Sequence, residues 1–253
     1  MDYKREKRQM KDTSKIPKII HYCWFGHNPL PPIAIKCIDS WKNTLPEYEI
    51  KEWNESNFDL ESNTYIKQAY DCKKWAFVTD YIRLKVLYEY GGIYMDTDVE
   101  VLKPLDSFLK LPAFSGFESI DKIETGIIGA VKENKWVKEL LEDYDYRTFL
   151  KLDGSYDLTP NVDTITNITK MRYSIKLDNS LQHLDDVSFY PYDWFCAKNF
   201  ETGKITKTEN TYTIHHFSGS WISVSQRFKH GLTSLIGINW MKWYSRIKQF
   251  ISG

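Results

Sequence analysis

Gly91-Gly92-Ile93-Tyr94-Met95-Asp96-Thr97-Asp98-Val99-Glu100-Val101 is an apolar, strand-forming run broken by two carboxylates two residues apart. Side chains alternate faces along a strand, so Asp96 and Asp98 point the same way, with Tyr94 and Glu100 in line. Like charges on one face of an apolar strand repel and lose hydration unless a cation or a strong donor neutralises them. A solvated pair at a strand end or in a turn is the competing reading, because the tripeptide alone is common. With few histidines and no cysteine pair nearby, the ligand set is rich in oxygen, which suits Mg²⁺ or Mn²⁺ better than a structural zinc.

The surroundings favour the cation. Lys73 to Tyr90 reads as a helix, with Ala76, Phe77, Leu84, Leu87 and Tyr88 as apolar positions and Gly91-Gly92 ending it by permitting positive φ. Helix, glycine stop, strand and acidic pair make one compact αβ unit. On the helix, Asp80 and Arg83 are three apart and share a face near its middle, where an ordinary surface ion pair is the plain alternative.

Ala76-Phe77-Val78-Thr79-Asp80-Tyr81-Ile82-Arg83, followed by Leu87 to Asp98, closely resembles the signature of glycosyltransferase family 32. That family includes fungal mannosyltransferases and bacterial capsule and lipopolysaccharide sugar transferases, and its core is similar to that of the large glucosylating toxins. The resemblance extends to Ile16-Pro17-Lys18-Ile19-Ile20-His21-Tyr22-Cys23-Trp24-Phe25-Gly26, to Ser40-Trp41 with Pro46, Tyr48 and Trp53, and to Ile214-His215-His216-Phe217-Ser218-Gly219-Ser220-Trp221. It implies an α/β architecture of the GT-A type: one Rossmann-like domain around a mixed, mostly parallel sheet flanked by helices, with ligand at the carboxyl ends of the strands. It also implies a nucleotide-sugar donor, a Mn²⁺ or Mg²⁺ ion on its diphosphate, and transfer with retention at the anomeric carbon.

Residue by residue, the resemblance makes Asp80, Arg83, Asp96 and Asp98 the catalytic set. Asp98 is the first metal ligand, and Asp96 touches the metal or the donor. Asp80 accepts hydrogen bonds from donor-sugar hydroxyls, and Arg83 holds the sugar or a phosphate oxygen through its planar fork. Trp24, at the end of a strand spanning Lys18 to Trp24, resembles the aromatic residue that related toxins stack on uracil; a core tryptophan is the alternative. His21 reads as a satisfied core histidine. For the third metal ligand the His215-His216 pair is the candidate. His216 is chosen because it heads a His-Phe-x-Gly run like the metal-binding segment of neighbouring retaining transferases, alternation turning His215 the other way. Ser220 and Trp221 resemble a segment that folds over the diphosphate, with Gly219 as hinge. Glu118, Glu124 and Thr125-Gly126 fall where related enzymes place the acceptor side. Asp157 to Val162 stands where many relatives carry a Thr-Gly-Pro turn, so acceptor contacts do not carry over there.

Length and composition set the remaining bounds. At 253 residues the chain suits one α/β domain, and nine Trp, 17 Tyr and 13 Phe suit carbohydrate faces. A formal net charge of zero gives no electrostatic case for nucleic acid. Cys23, Cys37, Cys72 and Cys196 lack Cys-x-x-Cys spacing and read as reduced thiols, which points to a cytoplasmic protein. No apolar run reaches spanning length. The expected division is a disordered extension over 1–15, the transferase domain over 16–231, and a basic amphipathic helix over 232–253. In the last segment Ile236, Trp240, Trp243, Ile247 and Phe250 recur with Lys242, Arg246 and Lys248 between them over 234–251. Peripheral contact with the inner membrane face and packing onto the domain are its two readings. The leading function is extension of a surface polysaccharide on a lipid-linked or oligosaccharide acceptor, with a UDP-hexose or UDP-N-acetylhexosamine donor preferred to GDP-mannose. A toxin-like transferase acting on protein and an inactive sugar-binding protein are the alternatives.

Overall fold

A computed structural model of the protein describes residues 15–219. Segments 1–14 and 220–253 lie outside the described residues, and with them the outer domain boundaries, Ser220, Trp221 and the basic helix expected over 234–251.

The chain opens with strand β1 (Ile19–Cys23), helix α1 (Pro32–Thr44) and strand β2 (Glu49–Trp53). Pro31 and Pro32 start α1 where a missing N–H costs nothing. Helices α2 (Thr64–Asp71) and α3 (Trp75–Tyr90) follow, then β3 (Gly92–Met95) and β4 (Val99–Val101). The helix expected from Lys73 begins two residues later, because Lys73 takes φ 55° and breaks α2 from α3. Next come β5 (Ala113–Gly116), β6 (Ile127–Ala130), α4 (Lys135–Glu142), α5 (Asn161–Arg172), β7 (Gln182–His183), β8 (Ser188–Tyr190), α6 (Tyr192–Phe195) and β9 (Thr213–His215).

The main sheet has seven strands in the order β2-β1-β3-β6-β5-β8-β7, and β4 and β9 form a separate antiparallel ribbon. β1 pairs in parallel with β2 and β3, and β5 with β8, while β6 and β7 run against the other five. The sheet is therefore mixed and mostly parallel, as expected. Alternation along its strands feeds two cores. Cys23, Tyr94, Ile128 and Phe189 point to one face, with Val78 and Ile82 of α3, Ile66 of α2, Trp136 of α4 and Ile165 of α5. Ile20, Ile93, Met95, Ile127 and Tyr190 point to the other, with Trp41 of α1, Phe108 and Phe195. Burial of some ten large side chains at about 1.5–3 kcal/mol each is the main force holding these layers together.

The order of connections locates a crevice. From β1 the chain crosses by α1 on one face to β2, then returns by α2 and α3 on the other face to β3, on the opposite side of β1. That reversal is a topological switch point, and ligands of open α/β sheets bind outside the carboxyl ends of the strands there. Trp24 follows the end of β1 and Asp96 follows the end of β3, so both stand at this crevice.

The corner leading into β3 is tightly built. Gly91 (φ 66°) and Gly92 (φ 118°) take conformations that side chains disfavour, and a Cβ on Gly92 would lie 2.7 Å from the Ile19 carbonyl oxygen and 2.9 Å from His21 Nε2. His21 is fully buried; its Nε2–H donates to the Gly91 carbonyl at 2.8 Å, and Trp53 Nε1–H donates to its Nδ1 at 3.1 Å. Both ring nitrogens are thus satisfied in the neutral form. Burial pushes its pKa down to about 4, against the pull of the Gly91 carbonyl.

Candidate active site

Asp96 and Asp98 do not sit on one strand face. β3 ends at Met95, β4 starts at Val99, and the two carboxylates flank a turn closed by the Val99 N–H donating to the Asp96 carbonyl at 3.0 Å. The turn, and not strand alternation, brings them together. Tyr94 does lie in line: its hydroxyl donates to Asp96 Oδ1 at 2.9 Å. Glu100 does not; it faces Lys36 at 2.9 Å and His216 at 2.7 Å.

The β4–β9 ribbon carries the far end of the chain to this turn, setting Val99 opposite His215. His215, 8% exposed, puts Nε2 3.3 Å from Asp98 Oδ1 and 4.0 Å from Asp96 Oδ2. Its Nδ1 is 2.9 Å from Oε1 of the fully buried Glu124. The expectation that His216 joins the carboxylates is corrected: the histidines do face opposite ways, but His215 enters the site and His216 turns out to Glu100. Alternation fixes only the relative orientation of neighbours. Which one meets Asp98 is decided by the register of β9 on β4.

The charges explain one another. Burial works against a protonated His215, but Asp98 and Glu124 outweigh it and hold the ring pKa well above its ordinary value. Burial likewise opposes the Asp98 carboxylate, yet His215 and the Ser218 N–H, which donates to Oδ2 at 2.7 Å, drive its pKa well below the usual range. For Asp96, burial prevails over Arg83 and His215 and raises the pKa.

Asp80 and Arg83 lie on the crevice side of α3, both nearly buried. Arg83 Nη2–H donates to Asp80 Oδ1 at 2.9 Å and stands 3.5 Å from Asp96 Oδ1, and Nη1–H donates to the Thr125 carbonyl at 2.5 Å. The guanidinium also lies over the Tyr94 ring, 4.8 Å from its centroid. This is a buried ion pair wired to the acidic turn, unlike a screened surface pair. Burial raises the Asp80 pKa to about 6, with Arg83 opposing and the Asp96 charge adding to it. Glu118, at the mouth of the Glu124 loop, is pushed to about 7 by burial and by the nearby Glu124.

Trp24 is half-buried, packs on the second core, and donates its Nε1–H to the Asn28 carbonyl at 2.5 Å. A cleft of about 570 Å³ lined by Gly26, His27, Asn28, Tyr70, Lys73 and Trp75 opens beside that loop. The structure therefore gathers Asp80, Arg83, Asp96 and Asp98 around one point, adds His215, and leaves His216 out. Sequence reasoning gave Glu124 only to the acceptor side, whereas its carboxylate stands behind His215. Nothing in local spacing links residues 91 apart.

Asp96, Asp98 and His215 each offer one ligand atom, and these atoms lie within 4.8 Å of one another. Two carboxylates and an imidazole suit Mn²⁺ or Mg²⁺. The imidazole already neutralises Asp98 when protonated, so the same oxygens are built to face positive charge.

Residues 31–115 match the family model described as a glycosyltransferase sugar-binding region containing a DXD motif, and Asp96-Thr97-Asp98 lies within them. Over those residues the chain is similar to the DXD-motif glycosyltransferases. Proteins similar to the chain include the inositol phosphoceramide mannosyltransferase 3 of Schizosaccharomyces pombe, 28% identical over 135 residues that cover 52% of this chain and 38% of that protein. A second is the mannosyl phosphorylinositol ceramide synthase CSH1 of Saccharomyces cerevisiae, 30% identical over 138 residues, covering 50% of this chain and 35% of that one. The chain thus spans about a third of the length of these fungal relatives. Among solved structures, the PaToxG glycosyltransferase is similar at TM-score 0.48 and 21% identity, over 62% of this chain and 69% of that one. The mixed, mostly parallel seven-stranded sheet flanked by helices agrees with the α/β architecture expected from the sequence.

Proposed function

We propose that the chain is a metal-dependent, retaining glycosyltransferase that moves a hexose or N-acetylhexosamine from a nucleotide sugar to a glycan acceptor of a surface polysaccharide. The observation that carries this reading is the meeting of Asp96, Asp98 and His215 beside the buried Asp80–Arg83 pair, at the switch point of a chain similar to the DXD-motif glycosyltransferases.

Asp96, Asp98 and His215 would hold the cation, replacing His216 in the set expected from the sequence. A bound Mn²⁺ or Mg²⁺ supplies Lewis-acid charge against the departing nucleoside diphosphate. Arg83 donates from Nη2 to Asp80 and from Nη1 to the Thr125 carbonyl, so its part is to fix Asp80 and offset the charge of Asp96. Asp80, held from one side, presents its remaining acceptor capacity to donor-sugar hydroxyls. Trp24 offers a ring face to the base at the end of β1. Ser220 and Trp221 are assigned to the segment covering the diphosphate. No carboxylate is assigned as nucleophile. The reading is a same-face displacement in which the leaving phosphate takes the acceptor proton.

A UDP-linked donor is preferred from the Trp24 comparison. A mannosyl donor is the second reading, favoured by the names of the fungal relatives. We place the protein in the cytoplasm, with residues 234–251 touching the inner membrane face. Among the described residues no helix is long and apolar enough to cross a membrane. Nucleoside-diphosphate release from a panel of UDP- and GDP-sugars, with and without Mn²⁺, tests the reading. Metal-dependent release from one donor, lost in Asp98→Asn, supports it and names the donor. Absence of release together with absence of Mn²⁺-dependent nucleotide binding overturns it in favour of an inactive binding protein. Liposome co-sedimentation unchanged on deleting 232–253 would remove the membrane contact.

A further inference from the structure

The loop between β5 and β6 touches three charged members of the site, His215, Arg83 and Asp96. Glu124 Oε1 meets His215 Nδ1 at 2.9 Å, the Thr125 carbonyl accepts from Arg83, and the Gly126 carbonyl accepts the Asp96 N–H at 2.8 Å. Glu124 is fully buried, its Oε1 also accepts the Gly126 N–H at 3.1 Å, and its Oε2 has no hydrogen-bond partner among the described residues. Placing a carboxylate there is costly for packing alone, since an apolar side chain would fill the space without an orphaned oxygen. Gly126 keeps that space open: a Cβ would lie 2.5 Å from Glu124 Oε1 and 2.7 Å from His215 Nδ1.

We propose that Glu124 is a positioning residue, which takes the Nδ1–H of His215 and thereby aims Nε2 into the gap between Asp96 and Asp98 as a fixed ligand for the cation. The inference rests on the reading of Asp96, Asp98 and His215 as the cation site. Its logic is general: a metal-binding histidine is fixed in tautomer and ring orientation by what its other nitrogen donates to, and carboxylates are common in that place. Phe217, its ring centroid 4.1 Å from that of His215, covers the imidazole and leaves Glu124 and the acidic turn as its polar partners, with Cys196 alongside. The two donors converging on Oε1 also fix how a glutamine would sit there, with its oxygen toward His215.

The test compares Mn²⁺ affinity of the full-length wild type, Glu124→Gln, Glu124→Leu and Gly126→Ala by calorimetry, with unfolding curves run alongside. Expected is a loss of about 10- to 100-fold in Glu124→Leu and in Gly126→Ala, with Glu124→Gln within about threefold of wild type. A folded Glu124→Leu that binds Mn²⁺ like the wild type overturns the inference while leaving the cation site standing. A wild type that binds no Mn²⁺ overturns both. The histidine-ring ¹⁵N spectrum of the Mg²⁺-loaded wild type decides the matter without a variant. His215 protonated at Nδ1 alone supports the inference, and a proton at Nε2 instead overturns it.

Discussion

His21 ties the Gly91-Gly92 corner to β2, and its acid titration gives a quantitative check on how that corner is held. Neutral, it donates to Gly91 and accepts from Trp53; charged, it would need a second acceptor that the buried pocket does not have. Its pKa is about 4 in the fold against 6.5 when free. Between those values the unfolded chain binds the proton and the folded chain does not. Stability is therefore unaffected by this group above about pH 6.5 and falls as pH drops below it. At about pH 5 this difference shifts the folding equilibrium toward the unfolded chain by roughly 30-fold, which is about 2 kcal/mol of lost stability, with a ceiling near 3 kcal/mol well below pH 4. His21→Gln keeps a donor for Gly91 and an acceptor for Trp53 but does not titrate. Urea unfolding of both proteins at about pH 7.5 and pH 5 isolates the effect, because every other group cancels in the difference. The wild type should lose about 2 kcal/mol relative to the variant. A difference that stays within about 0.5 kcal/mol, or shifts in favour of the wild type, would refute the neutral, doubly bonded histidine.

The histidine pair separates the site from its surroundings: His215→Gln should lower donor turnover by about 100-fold or more, and His216→Gln, whose side chain turns out to Glu100 and whose bond to the Asp98 carbonyl is made by the backbone N–H that the substitution keeps, by no more than about threefold, in one metal-dependent release assay. Gly92→Ala should cost at least about 2 kcal/mol in urea unfolding, since its Cβ would press on the Ile19 carbonyl at a φ of 118°. Trp136→Ala should cost about 3–5 kcal/mol by the same measurement, because the ring is fully buried and its Nε1–H is bonded to Thr169 Oγ1 at 2.9 Å.

The helix, glycine corner, strand and acidic pair were legible because each is written locally: apolar spacing for α3, two glycines where the backbone turns to positive φ, β-formers for β3. Asp80 and Arg83 share a face by helix geometry alone, and their convergence with Asp96 follows once α3 packs against β3. The turn at Asp96-Thr97-Asp98 was misread as continuous strand, since Val99-Glu100-Val101 keeps β-forming residues but joins a different sheet. His215 was set aside for His216 because a period-two argument ranks neighbours only against each other, and the deciding contact is the pairing of β9 with β4. Glu124 is the clearest case of information that local sequence does not carry: its partner is 91 residues away, and only the folded ribbon brings them into contact. Gly126 was visible as a turn glycine, but its requirement comes from the Glu124–His215 pair it makes room for.

The most direct measurement is the anomalous scattering of manganese in crystals grown with Mn²⁺ and a nucleoside diphosphate. The account predicts one peak within bonding distance of Asp96 or Asp98 oxygens and of His215 Nε2, with the diphosphate on its open side. A peak at His216 and Glu100, a peak between Glu124 and Cys196, or density for the nucleotide without any metal at Asp98, would contradict it.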